Sequence, residues 1–129
     1  MEVVILNGSK QIARLAADAV EDLLRRKPDA VLGLATGSTP LPVYDELAAR
    51  HERDGLDFSR ASGFALDEYV GLPPGHPESY REVVRREFTN RVNIRPENVH
   101  GPDGAAADIP GACRAYEEAI AAAGGVDLQ

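Results

Sequence analysis

The chain has 129 residues, 43% of them hydrophobic and 27% charged. That length allows one small domain or part of a larger one, and the composition is globular rather than disordered. The 14 Lys and Arg residues against 21 Asp and Glu give a formal net charge of −7. We therefore expect no nucleic-acid partner, because binding a phosphate backbone requires a basic surface. Cys113 is the sole cysteine, which excludes an intramolecular disulfide and a cysteine zinc cage and predicts a cytoplasmic protein.

Residues 3–6 (VVIL) form a short apolar run before Asn7 and Gly8. This pattern predicts a buried strand and lacks the features of a signal peptide. A helix is predicted next, with Ser9 as its N-cap and Pro28 as its stop. Its inward stripe is predicted to contain Ile12, Leu15, Ala16, Ala19, Val20, Leu23 and Leu24. No stretch approaches the roughly 18 apolar residues of a membrane helix, so we expect no membrane partner.

Two more strands and a helix are predicted in the middle of the chain. Residues 31–35 and 61–66 are apolar runs of strand length, typical of buried strands. The helix between them is predicted to begin with Thr39 as N-cap and Pro40 in its first position. Its inner face is predicted to contain Leu41, Tyr44, Leu47 and Ala48. The Pro and Gly content of residues 71–77 predicts a loop.

The rest of the sequence predicts two helices and a short strand between them. The predicted bounds are 78–91 and 110–123 for the helices and 98–100 for the strand. The aromatic and small apolar side chains of these helices are predicted to face the core: Tyr80, Val83, Val84, Phe88, Cys113, Tyr116 and Ile120. Residues 126–129 resemble the opening of one more buried strand.

Strands that alternate with helices predict a fold of the α/β class. We expect a three-layer α/β/α arrangement around a mostly parallel, Rossmann-like sheet, because right-handed crossovers place helices on both faces. Residues 1–129 are expected to form a single α/β domain. The last predicted strand reaches no following loop, so the domain looks truncated, as the amino-terminal part of a longer protein.

Residues 32–40 (LGLATGSTP) combine a strand end, a glycine turn and a helix start. Backbone N–H groups at a helix start have no internal partner and lie at the positive end of the helix dipole, which favours a bound phosphate. Gly37 permits close approach of the backbone, and the hydroxyls of Thr36, Ser38 and Thr39 add donors. The pattern is neither a Walker A loop nor a dinucleotide fingerprint, which favours a simple phosphate ester. The alternative is a plain turn that Thr39 caps.

Two adjacent carboxylates, Asp67 and Glu68, follow the third predicted strand. The carboxyl ends of parallel strands meet at one edge of the sheet, so these side chains are expected beside the glycine turn. A carboxylate placed there can act as a base that removes a proton next to a carbonyl. Neighbours in an extended strand point to opposite faces, so one carboxylate is expected to face the ligand and the other to support structure. A solvated acidic turn is the alternative.

The three histidines, His51, His76 and His100, are scattered along the chain. They lack the paired spacing and the cysteine neighbours of a metal site, so we predict none. His76 lies in the Pro- and Gly-rich loop, where it is either part of a mobile cover or an ordinary loop residue. Cys113 is predicted to be a packed, unreactive thiol.

Three segments occur in a distinctive order: LGLATGSTP at 32–40, LDEYVGL at 66–72 and HPESY at 76–80. Together they resemble the glucosamine-6-phosphate deaminase family, and the resemblance extends over essentially the whole chain. It implies conversion of glucosamine 6-phosphate and water to fructose 6-phosphate and ammonia, without a metal or organic cofactor. The implied partner is a small amino sugar phosphate, and the sequence leaves a homo-oligomer open.

The resemblance also implies roles for individual residues. The sugar phosphate is expected on Thr36, Gly37, Ser38 and Thr39. Asp67 matches the base that takes the C2 proton, while Glu68 and Tyr69 are expected to support the site. Members of the family are about twice as long, and the further half carries Asp-Gly-His and Asn-Glu-Pro motifs that supply a ring-opening histidine, its acidic partners and a lysine. We therefore expect negligible deamination from these 129 residues alone.

Two other functions, and the absence of any function, remain open as alternatives. A 6-phosphogluconolactonase is similar in its phosphate turn but typically has Arg after Asp-Glu, whereas this chain has Tyr69. A non-catalytic sugar-phosphate sensor would keep the turn without a base. An inactive fragment would expose the hydrophobic edge of an incomplete sheet.

Overall fold

The computed structural model describes residues 3–129, so Met1 and Glu2 of the predicted domain lie outside the described residues. The helices within this range are α1 (Ser9–Arg26), α2 (Leu41–Asp54), α3 (Tyr80–Glu87) and α4 (Ile109–Ala122). The strands are β1 (Val31–Leu34), β2 (Ser62–Ala65) and β3 (Val99–His100). Short 3-10 helices occupy Thr89–Arg91 and Pro96–Asn98.

The strands form a parallel sheet in the order β1-β2-β3. Val31 pairs with Ser62, and Leu34 pairs with Ala65. On the other side of β1, Leu128 forms a parallel bridge with Leu32. The predicted start of another strand near the carboxyl terminus is therefore confirmed.

Helices cover both faces of this sheet. Leu32 and Leu34 belong to the main core cluster, together with Tyr44 of α2 and Phe88, which follows α3. Phe64 is paired with Gly33, so its side chain points to the opposite face, where it packs against Tyr116 of α4 at a ring distance of 5.8 Å. The predicted three-layer α/β/α fold is confirmed.

The strand predicted at residues 3–6 is wrong. These residues have no regular secondary structure, and Val3 and Ile5 are 72% and 91% exposed. An apolar run becomes a buried strand only when a neighbouring strand supplies its ladder. No strand among residues 3–129 pairs with it.

The first helix is confirmed, but the predicted stripe on it is partly wrong. Ala13, Ala17 and Leu24 are buried in α1, whereas Ile12 is 53% exposed. Ser9 makes no capping hydrogen bond, and the helix begins directly after Gly8. Ala13 lies beside Pro42, Asp45 and Glu46 of α2.

Arg50 fastens α1 to α2. Its side chain is buried, and Nη1 lies 2.8 Å from both Asp18 and Glu21 of α1. Its Nε donates to Glu46, one turn earlier in α2, at 3.0 Å. Three carboxylates around one guanidinium satisfy its donors and fix how the helices that follow and precede β1 sit together.

The bounds of α3 and the burial of Cys113 differ from the sequence predictions. α3 begins at Tyr80 rather than at residue 78, because the hydroxyl of Ser79 caps it by accepting from the Glu82 N–H. It ends at Glu87, where Phe88 turns into the core. Cys113 is exposed, so its predicted packing is wrong, and α4 contacts the sheet through its half-buried Tyr116 instead. No helix within residues 3–129 combines the length and the apolar character needed to cross a bilayer.

Candidate functional site

Two loops leave neighbouring strands at the same edge of the sheet. The register that pairs Leu34 with Ala65 places the carboxyl ends of β1 and β2 side by side. The N–H of Leu66 donates to the Leu34 carbonyl at 2.9 Å, which extends this alignment one residue past the strands. Residues 35–39 and 66–69 therefore start from adjacent positions, as ligand-binding loops of open α/β sheets do.

The first loop is the glycine turn. Gly37 has φ +103, a conformation that other residues rarely adopt, and a Cβ there would meet no atom within 4 Å. Gly37, Ser38 and Thr39 are exposed. Their backbone N–H groups donate to no acceptor among residues 3–129. The turn thus presents free donors to open space, which suits an anion.

The predicted N-cap of α2 is wrong. The helix begins at Leu41, immediately after Pro40, and no side chain caps it. Thr39 is exposed and makes no capping hydrogen bond, because the fixed φ of Pro40 already starts the first turn. The Thr39 hydroxyl is therefore available to a ligand rather than committed to the helix.

Tyr44 anchors the glycine turn from inside. Its ring is 7% exposed, and its hydroxyl donates to the Ala35 carbonyl at 2.6 Å, one residue before Thr36. Burial raises the pKa of Tyr44 to about 12, because the phenolate would lose its hydration. The neutral, donating form therefore persists to a higher pH than that of a free tyrosine.

We expect this anchor to make stability depend on alkaline pH. A folded-state pKa raised above the unfolded value of 10 contributes stability that is complete below pH 10 and is lost as the pH rises towards about 12. At about 1.4 kcal/mol per unit, the full effect is about 2–3 kcal/mol. Urea unfolding between pH 8 and 12 should show a steeper loss for the unaltered protein than for Tyr44→Phe. Parallel curves would contradict this role.

The two carboxylates of the second loop, those of Asp67 and Glu68, have different surroundings. Asp67 is exposed and accepts no hydrogen bond from residues 3–129. Glu68 is half-buried and accepts from the backbone N–H groups of Tyr69, Tyr80 and Arg81. Asp67 is therefore the carboxylate that is free to act on a ligand, and Glu68 is engaged in structure.

Two tyrosines connect the second loop to α3. The Tyr80 hydroxyl donates to the Tyr69 hydroxyl at 3.0 Å, and the ring centroids are 4.6 Å apart. This hydrogen bond and, to a lesser extent, the charge of Asp67 raise the pKa of Tyr80, while the side chain of Thr36 acts in the opposite direction. The Tyr80 hydroxyl proton is thus engaged by Tyr69, and the pair of tyrosines ties the second loop to α3.

Sequence reasoning missed this role of Tyr80 and a related role of Tyr116. Both were assigned to the core, and both are half-buried. The Tyr116 hydroxyl donates to the Ala65 carbonyl at 2.7 Å, just before the loop of Asp67. The tyrosine hydroxyl could have indicated both roles in the sequence, because a tyrosine at an inward position needs a polar partner.

An open pocket lies beside the second loop and does not extend over the glycine turn. A cavity of about 470 Å³ is lined by Glu68, Tyr69, the loop at 72–75, the start of α3 and the loop at 101–105. Neither Asp67 nor any residue of the glycine turn lines it. Both groups face an open edge of the sheet. Within residues 3–129, no three His, Cys, Asp or Glu side chains cluster as metal ligands would.

Comparison with known proteins gives a family for nearly the whole chain. The model of the glucosamine-6-phosphate isomerases/6-phosphogluconolactonase family matches residues 7–129. A glucosamine-6-phosphate deaminase of Arthrobacter sp. (strain FB24) is 81% identical over 129 residues, which are 100% of this chain and 50% of that protein. One of Mycolicibacterium smegmatis is 61% identical over the same 129 residues, 49% of its length. The chain spans about half the length of the curated relatives it matches.

Solved structures agree with the fold. A monomeric glucosamine-6-phosphate deaminase superposes with a TM-score of 0.97 at 35% identity, covering 100% of this chain and 54% of that one. A 6-phosphogluconolactonase from Thermotoga maritima gives a TM-score of 0.73 at 27% identity, covering 94% of this chain and 53% of that one. The deaminase structure thus matches more completely than the lactonase structure.

Proposed function

Because this chain belongs to the glucosamine-6-phosphate isomerase/6-phosphogluconolactonase family, we propose that it is the amino-terminal part of a glucosamine-6-phosphate deaminase. The proposed reaction converts glucosamine 6-phosphate and water to fructose 6-phosphate and ammonia. The observation that carries this proposal is the pairing of a free-donor turn at 36–39 with the unengaged carboxylate of Asp67 at one sheet edge.

We assign the sugar phosphate to the turn of Thr36, Gly37, Ser38 and Thr39. Unpartnered N–H groups and three hydroxyls supply donors without any basic side chain. Fixing the phosphate fixes the distance from the sixth carbon back to the second, so the substrate is oriented before the chemistry starts. Support comes from the positive φ of Gly37, which a side chain would disfavour.

Asp67 is the proposed base. In the open-chain sugar, the C2 proton lies next to the aldehyde, and its removal by the carboxylate leaves the enolate of an enolamine. Return of that proton from Asp67 to C1, with transfer of an N–H proton to O1, gives an imine at C2, which water hydrolyses to the ketose and ammonia. The Tyr80 hydroxyl donates to the Tyr69 hydroxyl, and this contact joins α3 to the loop that carries Asp67. Tyr69 supports the site in this way.

We also propose that these residues need the second half that the relatives possess. The described part leaves an apolar hollow of about 260 Å³ between α1, α2, β1 and residues 128–129, and the apolar residues 3–5 are exposed beside no strand. We also propose that the deaminase is cytoplasmic, because the single cysteine of these 129 residues fits a reducing environment.

The test is an assay of the full-length protein with two substrates. We expect release of ammonia and formation of fructose 6-phosphate from glucosamine 6-phosphate, and no hydrolysis of 6-phosphogluconolactone above its spontaneous rate. Lactone hydrolysis without ammonia release would replace the proposal by a lactonase. Binding of the sugar phosphate without turnover of either compound would indicate a sensor.

A further inference from the structure

We propose that Glu68 is a positioning residue, which clasps the loop of Asp67 to the first turn of α3; this inference rests on the proposed function. One carboxylate oxygen, Oε1, accepts from the N–H of Tyr69 and from that of Tyr80, both at 2.9 Å. The other, Oε2, accepts from the N–H of Arg81 at 3.0 Å. A single side chain thus joins two segments that are 12 and 13 residues apart.

The start of α3 depends on this contact. The first N–H groups of a helix have no partner in the helix itself. In α3, the Ser79 hydroxyl satisfies that of Glu82, and the Val83 N–H makes the first regular helical bond to the Ser79 carbonyl. Glu68 satisfies the two that remain, those of Tyr80 and Arg81. A carboxylate suits this place because both of its oxygens only accept and its charge faces the positive end of the helix dipole.

The orientation of Asp67 depends on the same contact. Its side chain has no hydrogen bond to residues 3–129 that would fix it. On one side it follows Leu66, whose N–H is tied to β1. On the other side it precedes Glu68, so the peptide that carries Asp67 is held between the sheet and α3. Loss of the Glu68 hydrogen bonds to α3 would let the Asp67 carboxylate move, even though the hydrogen bond from Leu66 to β1 remained.

The hydrogen bonds of Glu68 also fix the positions of Tyr69 and Tyr80 relative to each other. Oε1 of Glu68 binds the backbone of both Tyr69 and Tyr80, the residues whose hydroxyls are 3.0 Å apart. Asp67 and the Tyr80 hydroxyl therefore share one anchor. The glycine turn is anchored elsewhere, through Tyr44 and Ala35. Loss of Glu68 is thus expected to disturb the chemical step more than phosphate binding.

The experiment compares Glu68→Gln, Glu68→Asp and the control Glu87→Gln in the full-length protein. Glu87 lies at the other end of α3 and pairs with its exposed neighbour Arg86. The amide of Glu68→Gln keeps one acceptor but turns an N–H towards the Arg81 N–H. The shorter Glu68→Asp keeps the charge and reaches less far, which provides a second variant if the first is unstable.

We expect kcat for glucosamine 6-phosphate to fall about 10–100-fold in Glu68→Gln, because small misplacements of a reacting group have effects of this size. KM should change less than about two-fold, and the pH–rate profile should keep its shape with a lower plateau, since Glu68 transfers no proton. Hydrogen exchange at the amides of Tyr80 and Arg81 should become faster. Glu68→Asp should lie between Glu68→Gln and the unaltered protein, and Glu87→Gln should match the unaltered protein.

Three outcomes would overturn the inference: a kcat in Glu68→Gln equal to that in Glu87→Gln, a loss confined to KM, or unchanged exchange at Tyr80 and Arg81. A reduced Tm with normal kcat in the folded protein would reduce Glu68 to a residue of stability alone. Absence of ammonia release from the unaltered full-length protein would overturn the proposed function instead, and the exchange measurement would still decide whether the clasp exists.

Discussion

Asp67→Asn in the full-length protein is expected to lower kcat for ammonia release by about 10²–10⁴-fold, the usual contribution of a positioned base. The amide has nearly the same shape and cannot take the C2 proton. KM should change little, because the phosphate donors of the glycine turn lie on the other loop. Steady-state kinetics with glucosamine 6-phosphate measures both quantities.

Asp29→Asn is the matched control for this substitution. Asp29 is also exposed and also lies next to a strand, but it precedes β1 and is therefore at the opposite edge of the sheet. We expect kcat and KM of this variant to equal those of the unaltered protein. Equal activity of the two asparagine variants would remove Asp67 from the mechanism.

Gly37→Val is expected to weaken substrate binding about 5–150-fold, which corresponds to about 1–3 kcal/mol of strain at a φ of +103. A Cβ at this position would meet no protein atom within 4 Å, so the cost arises from the backbone conformation. A β-branched residue would leave this conformation and turn the donors away from the phosphate. Affinity for fructose 6-phosphate, measured by calorimetry, reports the change directly.

Gly55→Val separates loss of binding from loss of stability. Gly55 also has a positive φ, +71, and open space around it, but it ends α2 far along the chain from the turn. Both variants should unfold at lower urea concentration. Affinity should fall in Gly37→Val alone, and an equal affinity in the two variants would count against the glycine turn as the phosphate site.

The order of strands and helices could be predicted because each signal is local. Apolar runs at 31–35 and 61–66 are stopped by Thr36 and Asp67, and in a parallel sheet this alone brings these two residues to one edge. The failure at residues 3–6 has the opposite cause. A strand there depends on a partner from elsewhere, and hydrophobic composition says nothing about whether that partner is present.

The supports of the site could not be predicted in the same way. Helical periodicity shows that Tyr44 faces inward, and it does not show that the hydroxyl ends on the Ala35 carbonyl. The same holds for Tyr116 on Ala65. The burial of Cys113 was overestimated because α4 has few inward contacts, and an apolar face in sequence does not reveal how closely the helix lies on the sheet.

The central claim is that the phosphate of the sugar rests on the N–H groups of Gly37, Ser38 and Thr39 while C2 lies against Asp67. A crystal structure of the full-length protein with the reduced, open-chain alcohol of glucosamine 6-phosphate, which cannot isomerise, tests it most directly. The account predicts phosphate oxygens about 2.7–3.2 Å from those nitrogens and a carboxylate oxygen of Asp67 about 3–3.5 Å from C2. A phosphate bound away from this turn, or a carboxylate directed away from C2, would contradict it.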